Sequence, residues 1–268
     1  MQLACLLEVS AAKPGNITPA HDFADTTYAD MVRSGLALGP VFARGRVLRR
    51  RVGELIADGV DATARAVRAN TNLGIVLLFA PLVRAGVTRR ANESLRAAVQ
   101  RTLAGLDLDD AAAAFAAIAS ARPGGLGEAP EHDVRAPARV SLREAMAAAA
   151  HRDSVASEYA TGYEIVFDTG LPLLDDALRS APSTLDAIVS LHLGLLAAHP
   201  DTLIARKAGD AAAQDVSAAA RAVRDGVRSL AEFDSSLRLD GNRLNPGTTA
   251  DLVAATLLAA LLSGVRLP

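Results

Sequence analysis

Apolar residues recur along this chain at three- and four-residue spacings, and nowhere do they alternate over a useful length. That pattern predicts amphipathic helices and no strands. Helices are expected over 2–10, from a cap at Thr26 or Thr27 to about 44, over 47–69, through the apolar run 75–83, over 91–103 and over 107–121 with Asp107 as cap. Pro81 is expected to kink or end the fourth. After an irregular stretch at 122–133, Ser141 and Glu144 form a capping box that opens a long helix through 167. Helices at 183–199 and 210–233 follow, with His192 read as a packing histidine and 200–207 as a break. A buried helix closes the chain after Asn245-Pro246-Gly247, where Thr248 and Asp251 have a spacing like that of a capping box. The predicted fold is all-α: a single domain over 1–268, a multi-helix bundle whose polar loops converge on one cleft.

Composition narrows the picture. Half of the residues are hydrophobic but only 3% are aromatic, with no Trp, so the core is built from Ala, Leu and Val. A net charge of −2 leaves no electrostatic footprint for nucleic acid. The single cysteine, Cys5, excludes a disulfide framework and a cysteine metal cage. Glu8 interrupts the short apolar run at the start, which argues against a signal peptide. The most apolar segment, 252–264, is shorter than the roughly 20 residues a bilayer span needs. A soluble, cytoplasmic protein without membrane or nucleic-acid partners is expected. A homodimer is neither required nor opposed by anything in the chain.

The reactive residues sit in the helix breaks. The first break holds Glu8, Lys13-Pro14-Gly15, Asn16, Pro19 and His21-Asp22; its prolines bar a helix, and Gly15 lets backbone approach a ligand. Of 28 basic residues only Lys13 and Lys207 are lysines, and both lie beside glycines. A compact ammonium used so sparingly points to phosphate contacts. Asp25 and Asp30 lie where the dipole of the next helix favours negative charge, so dipole compensation explains them as well as a metal or substrate role does. Asn70-Thr71-Asn72-Leu73-Gly74 combines capping residues with the free N–H groups of a helix start, a natural anion site. The stretch 122–133 mixes three glycines, two prolines, three acids and a histidine, which nothing structural demands.

In this order the breaks resemble the triphosphoribosyl-dephospho-CoA synthase family. Glu8 to Gly15 resembles its Glu-Val…Pro-Lys-Pro-Gly opening, with Ala12 for the first proline. His21-Asp22 and Asp30-Met31 fall at its next His and Asp-Met motifs, and Asn70-Thr71-Asn72 with Gly74 is similar to its Thr-Asn-Thr-His-Lys-Gly. Gly124 to Ala129 resembles its Gly-Ala-Arg-Gly-Glu-Ala loop, Asp201-Thr202 with 206–209 its Asp-Thr-Asn segment, and Asn245 to Leu252 its Ser-Pro-Gly-Gly-Ser-Ala-Asp-Leu. Two departures mark a divergent branch: Asn72-Leu73 replaces His-Lys, and Glu131-His132-Asp133 is added to the loop.

The resemblance implies that the 2′-hydroxyl of dephospho-CoA attacks C1′ of ATP and expels adenine, with oxocarbenium character at C1′. On that footing Glu8, Glu128 and His21 are the catalytic candidates. Lys13, Gly15, Asn70, Thr71, Asn72, Gly74, Arg206, Lys207, Gly247, Thr248 and Thr249 are candidates for the nucleotide, and Asp22, Asp30 and Asp251 for Mg²⁺. Two other readings stand beside it. One is a different nucleotide-dependent transferase or ligase of cofactor biosynthesis, for example of tetrahydromethanopterin or methanofuran. The other is a non-catalytic helical scaffold.

Overall fold

The computed structural model describes residues 1–67, 71–121 and 131–267. Among them lie fifteen α-helices and no strand. In chain order these are α1 (Gln2–Ser10), α2 (Tyr28–Val41), α3 (Arg44–Val47), α4 (Val52–Ala66), α5 (Leu73–Thr88), α6 (Leu95–Ala104), α7 (Leu108–Ala121) and α8 (Leu142–Ala149). There follow α9 (Ser154–Thr161), a π-helical turn (Ile165–Gly170), α10 (Leu171–Ser180), α11 (Thr184–Ala198), α12 (Thr202–Ala208), α13 (Asp210–Arg224), α14 (Leu230–Leu237) and α15 (Gly247–Leu262).

Helices α5 and α15 form the centre, because their sequences are apolar on every face and only a fully enclosed helix can bury them. They pack against each other, with α1, α4, α6, α9 and α11 around them. A second cluster lies beyond α11, where Leu196, Ile204, Ala213, Phe233 and Leu237 join α11 to α12, α13 and α14. Small residues bring helices close: a Cβ on Gly53 would lie 2.3 Å from the Asp110 carbonyl, so the approach of α4 to α7 at this point requires glycine. No single helix among the described residues is long and apolar enough to cross a membrane.

The all-α expectation agrees with this architecture, while several boundaries differ. Pro81 does not end its helix, which runs on to Thr88. Proline has no N–H for the carbonyl four residues earlier, and the Tyr159 hydroxyl donates to that Leu77 oxygen at 2.7 Å instead. Tyr163 does the same for Leu78 O at 2.7 Å. Both tyrosines are fully buried, so a hydroxyl without such a partner would be costly.

The single helix expected from 141 to 167 is three pieces. Asp153 caps α9, its Oδ1 accepting the Ala156 N–H at 3.1 Å, and Gly162 and Tyr163 take positive φ before the π-helical turn. The helix expected over 47–69 is α4, which begins only at Val52 after the short α3, and 210–233 divides into α13 and α14, the latter started by a Ser229 capping box. The break expected at 200–207 is mostly helix α12, capped by Asp201.

Glu158 anchors the π-helical turn: its two carboxylate oxygens accept the N–H groups of Ile165 at 2.9 Å and Val166 at 3.0 Å. Burial pushes its pKa up to about 7 against the pull of these donors, with Glu164 and Asp168 adding to the rise. A folded-state pKa above the ordinary value means that the fold favours the protonated form. That stabilisation is complete below about pH 4.5 and is lost as the pH rises through about 7. Urea melts of the wild type should therefore lose up to about 3 kcal/mol between pH 5 and pH 9. A Glu158→Gln variant should show no such loss, and parallel pH curves for the two proteins would contradict the assignment.

Candidate functional site

The helix starts and the first break open onto one cavity of about 1210 Å³. Glu8 reaches it from α1, Thr71 and Gly74 from the start of α5, and Arg206 and Lys207 from α12; Asn245, Gly247, Thr248 and Asp251 reach it from the start of α15. Segments more than 200 residues apart in sequence thus share one wall.

Asp201 fixes their relative positions. It is 1% exposed. Its Oδ1 accepts the N–H groups of Leu203 at 2.8 Å and Ile204 at 3.0 Å, capping α12. Its Oδ2 accepts the Thr249 N–H at 2.7 Å and the Thr249 hydroxyl at 2.8 Å, capping α15 as well. Burial raises the pKa of Asp201, and the four donors work against that rise. A weaker contact, Thr202 Oγ1 to Thr248 Oγ1 at 3.3 Å, lies alongside.

Two ion pairs border the cavity, Lys13–Glu8 and Arg206–Asp153, and the carboxyl of Asp251 lies near them without one. Glu8 carries a 2.9 Å ion pair from Lys13 Nζ, which also donates to the carbonyls of Glu8 and, at 3.5 Å, Ala11. Arg206 meets Asp153 at 2.5 Å. Lys207 donates to Asn242 O at 3.3 Å, and burial lowers its pKa while Asp25 and Asp201 oppose the change. Asp251 accepts no hydrogen bond from any described residue. Burial first, then the charges of Glu8, Asp201 and Asp153, hold its carboxyl well above the usual carboxylate range, with Arg206 pulling it back. A Cβ on Gly74 would sit 2.0 Å from Asp251 Oδ2, so glycine is what admits this carboxyl to the start of α5. Asp251 forms no capping box with Thr248, since Pro246 is the residue before α15.

Several candidates lie elsewhere. Lys13 is 0% exposed and does not line the cavity, which departs from the expected phosphate contact: its donors are taken by Glu8 and Ala11 within the core. Gly15 adopts a φ of 71° and packs on α14, its N–H donating to Asp234 at 2.8 Å. Asn72 is buried, its amide donating to Ser34 at 2.8 Å. Thr249 faces Asp201 rather than the cavity. His21 is exposed, with its backbone paired to Thr18. Asp22 accepts the Tyr28 N–H at 2.6 Å and Asp30 closes the Thr27 capping box, so both acids serve the start of α2 and neither lines the cavity. Asn70 and Glu128 lie outside the described residues.

Three residues absent from the candidate set also belong to the cavity or its frame. Asp201 was visible as part of the Asp-Thr motif, though not as a joint between two helices. Asp153 carried no signal, because a continuous helix was expected through it. Asn245 lines the cavity with a buried Oδ1 that has no hydrogen-bond partner among the described residues.

Fold and cavity together define an all-helical protein with basic and acidic side chains converging on one cavity. The family profile of ATP:dephospho-CoA triphosphoribosyl transferases (CitG) matches residues 1–267, and the chain belongs to this family. It is a transferase, and the family's reaction is ATP-dependent triphosphoribosyl transfer to dephospho-CoA. The chain is also similar to a crystal structure from Archaeoglobus fulgidus described as a triphosphoribosyl-dephospho-CoA synthase. The two share 26% identity with a TM-score of 0.70, over 87% of this chain and 99% of that one. No curated protein matches.

The Lys13–Glu8 pair gives a test. Breaking a buried pair from one side leaves an uncompensated charge and costs about 3–5 kcal/mol. Lys13→Met should therefore lose that much stability in denaturant melts. The double variant Lys13→Met/Glu8→Gln should recover most of the loss and bind ATP as tightly as the wild type. Weakened ATP binding in the refolded double variant would restore Lys13 to the nucleotide.

Proposed function

We propose that this cavity carries out the transfer with the triphosphate of ATP held at the α12–α15 end. Arg206 and Lys207 supply the cations there, and the first turn of α15, Gly247 and Thr248, supplies backbone N–H groups. What supports this reading is that Glu8, Arg206, Lys207, Thr248 and Asp251 line a single cavity although they come from separate helices.

In the reaction the 2′-hydroxyl oxygen of the acceptor forms a bond to C1′ of the ATP ribose. The C1′–N9 bond breaks, and its electron pair leaves with adenine. The hydroxyl proton passes to Glu8, which lines the cavity and is paired with Lys13 at 2.9 Å. Until it takes up that proton, the same carboxylate stabilises positive character at C1′. Adenine departs as the neutral base after taking up a proton from solvent.

Magnesium enters as part of the substrate. No group of three or more His, Cys, Asp or Glu side chains among the described residues is arranged to hold a resident metal ion. Mg²⁺ is commonly held by one or two carboxylates together with substrate phosphates and waters. Asp251, a cavity-lining carboxyl with no hydrogen bond from any described residue, fits that partial role. When bound, the ion neutralises triphosphate charge. Soluble nucleotide substrates also favour a cytoplasmic site of action.

Chromatography of the base released from ATP tests the reading. Free adenine should form only when ATP and dephospho-CoA are both present, in amounts equal to the acceptor consumed. ADP, AMP or pyrophosphate as product would overturn it in favour of another nucleotide-dependent transferase or ligase. Lys207→Ala removes one charge-assisted contact worth about 1.5–3 kcal/mol, so the KM for ATP should rise roughly 10- to 100-fold.

A further inference from the structure

The cavity has lining that the triphosphate does not need. Phe115 and Ile118 of α7, Met146 and Ala148 of α8, and Val155 of α9 give it an apolar wall. Where this wall meets the polar end, the chain turns between α8 and α9 at Arg152 and Asp153. Asp153 reaches across to Arg206, so this junction stands next to α12. Arg152, an exposed residue, also lines the cavity, and its guanidinium has no ion-pair or hydrogen-bond partner among the described residues. The whole space, about 1210 Å³, exceeds the roughly 300–1,000 Å³ of a site for one small ligand.

Besides Glu8 and Asp251, the walls present a guanidinium with no ion-pair partner among the described residues and an apolar surface on α7, α8 and α9. The acceptor carries the same three kinds of chemistry: a ribose, a diphosphate, and a long uncharged chain. We propose that dephospho-CoA binds in this cavity with its diphosphate at Arg152 and its pantetheine arm on the wall formed by α7, α8 and α9. The two substrates then share the cavity, and the apolar wall selects an acceptor that carries the arm. The assignment rests on the reading that ATP and dephospho-CoA react in this cavity.

Binding titrations test it without requiring turnover. Ala148 is only half-buried, so Ala148→Leu adds bulk to the cavity wall without opening the core. Isothermal titration should give a Kd for dephospho-CoA at least 10-fold weaker in Ala148→Leu and in Arg152→Gln, with the Kd for ATP within twofold of the wild type. Ala149→Leu, on the same wall, replaces Ala148→Leu if that variant melts early. Unchanged dephospho-CoA affinity in the leucine variants, or equal weakening of both ligands, overturns the proposal. Absence of dephospho-CoA binding by the wild type also overturns it. Adenine release, measured separately, reports on the reaction itself, so the two readings fail independently.

Discussion

One buried carboxylate sets the geometry of this protein's cavity. Asp201 accepts four hydrogen bonds, two from the start of α12 and two from the start of α15. Helix starts carry N–H groups with no partner inside the helix, and here one side chain satisfies such groups on two helices at once. Removing it would leave three backbone donors and the Thr249 hydroxyl buried without an acceptor, at a cost of about 1–3 kcal/mol for each group left unsatisfied. The consequence reaches beyond stability. Arg206 and Lys207 ride on α12, Thr248 and Asp251 on α15, so the spacing of cations and carboxyl across the cavity follows from this one joint.

Around that joint the charges are balanced unevenly. Lys13 and Glu8 cancel each other in the wall, and Arg206 and Asp153 do so across it. Asp251 stands without a cation in contact, admitted by the missing side chain of Gly74 and pressed by three neighbouring carboxylates. A site with an excess of acid is poorly suited to bare triphosphate and well suited to triphosphate that brings its own divalent cation. The same arrangement explains why Lys13 is a lysine: its single ammonium serves a carboxylate and two carbonyls in a space closed to solvent.

Much of the fold was legible in the sequence, for reasons particular residues make plain. Thr27, Asp107 and Ser141 mark helix starts because their short side chains accept backbone N–H groups, and the structure shows each of them capping. The division of 141–167 was hidden because Asp153 and Gly162 sit in an otherwise unbroken helical pattern. Pro81 looked like an end because the donors that rescue its turn, Tyr159 and Tyr163, lie about eighty residues downstream. At the site, the convergence of Glu8, Thr71, Gly74, Arg206, Lys207 and Asp251 follows the ordered breaks. Which polar side chains face the cavity did not follow. Asn72 finds in Ser34 a partner that only the three-dimensional arrangement supplies, while Lys13, Asp22 and Asp30 turn to near neighbours in the chain, Glu8, the Tyr28 N–H and Thr27.

The most direct measurement is a crystal structure of the chain with ATP and Mg²⁺ in the absence of acceptor. The triphosphate should lie between Arg206–Lys207 and the start of α15, the ion against Asp251, and ribose C1′ should face Glu8 with Lys13 still paired behind it. A nucleotide bound outside the cavity, or phosphate oxygens in contact with Lys13, would contradict the account.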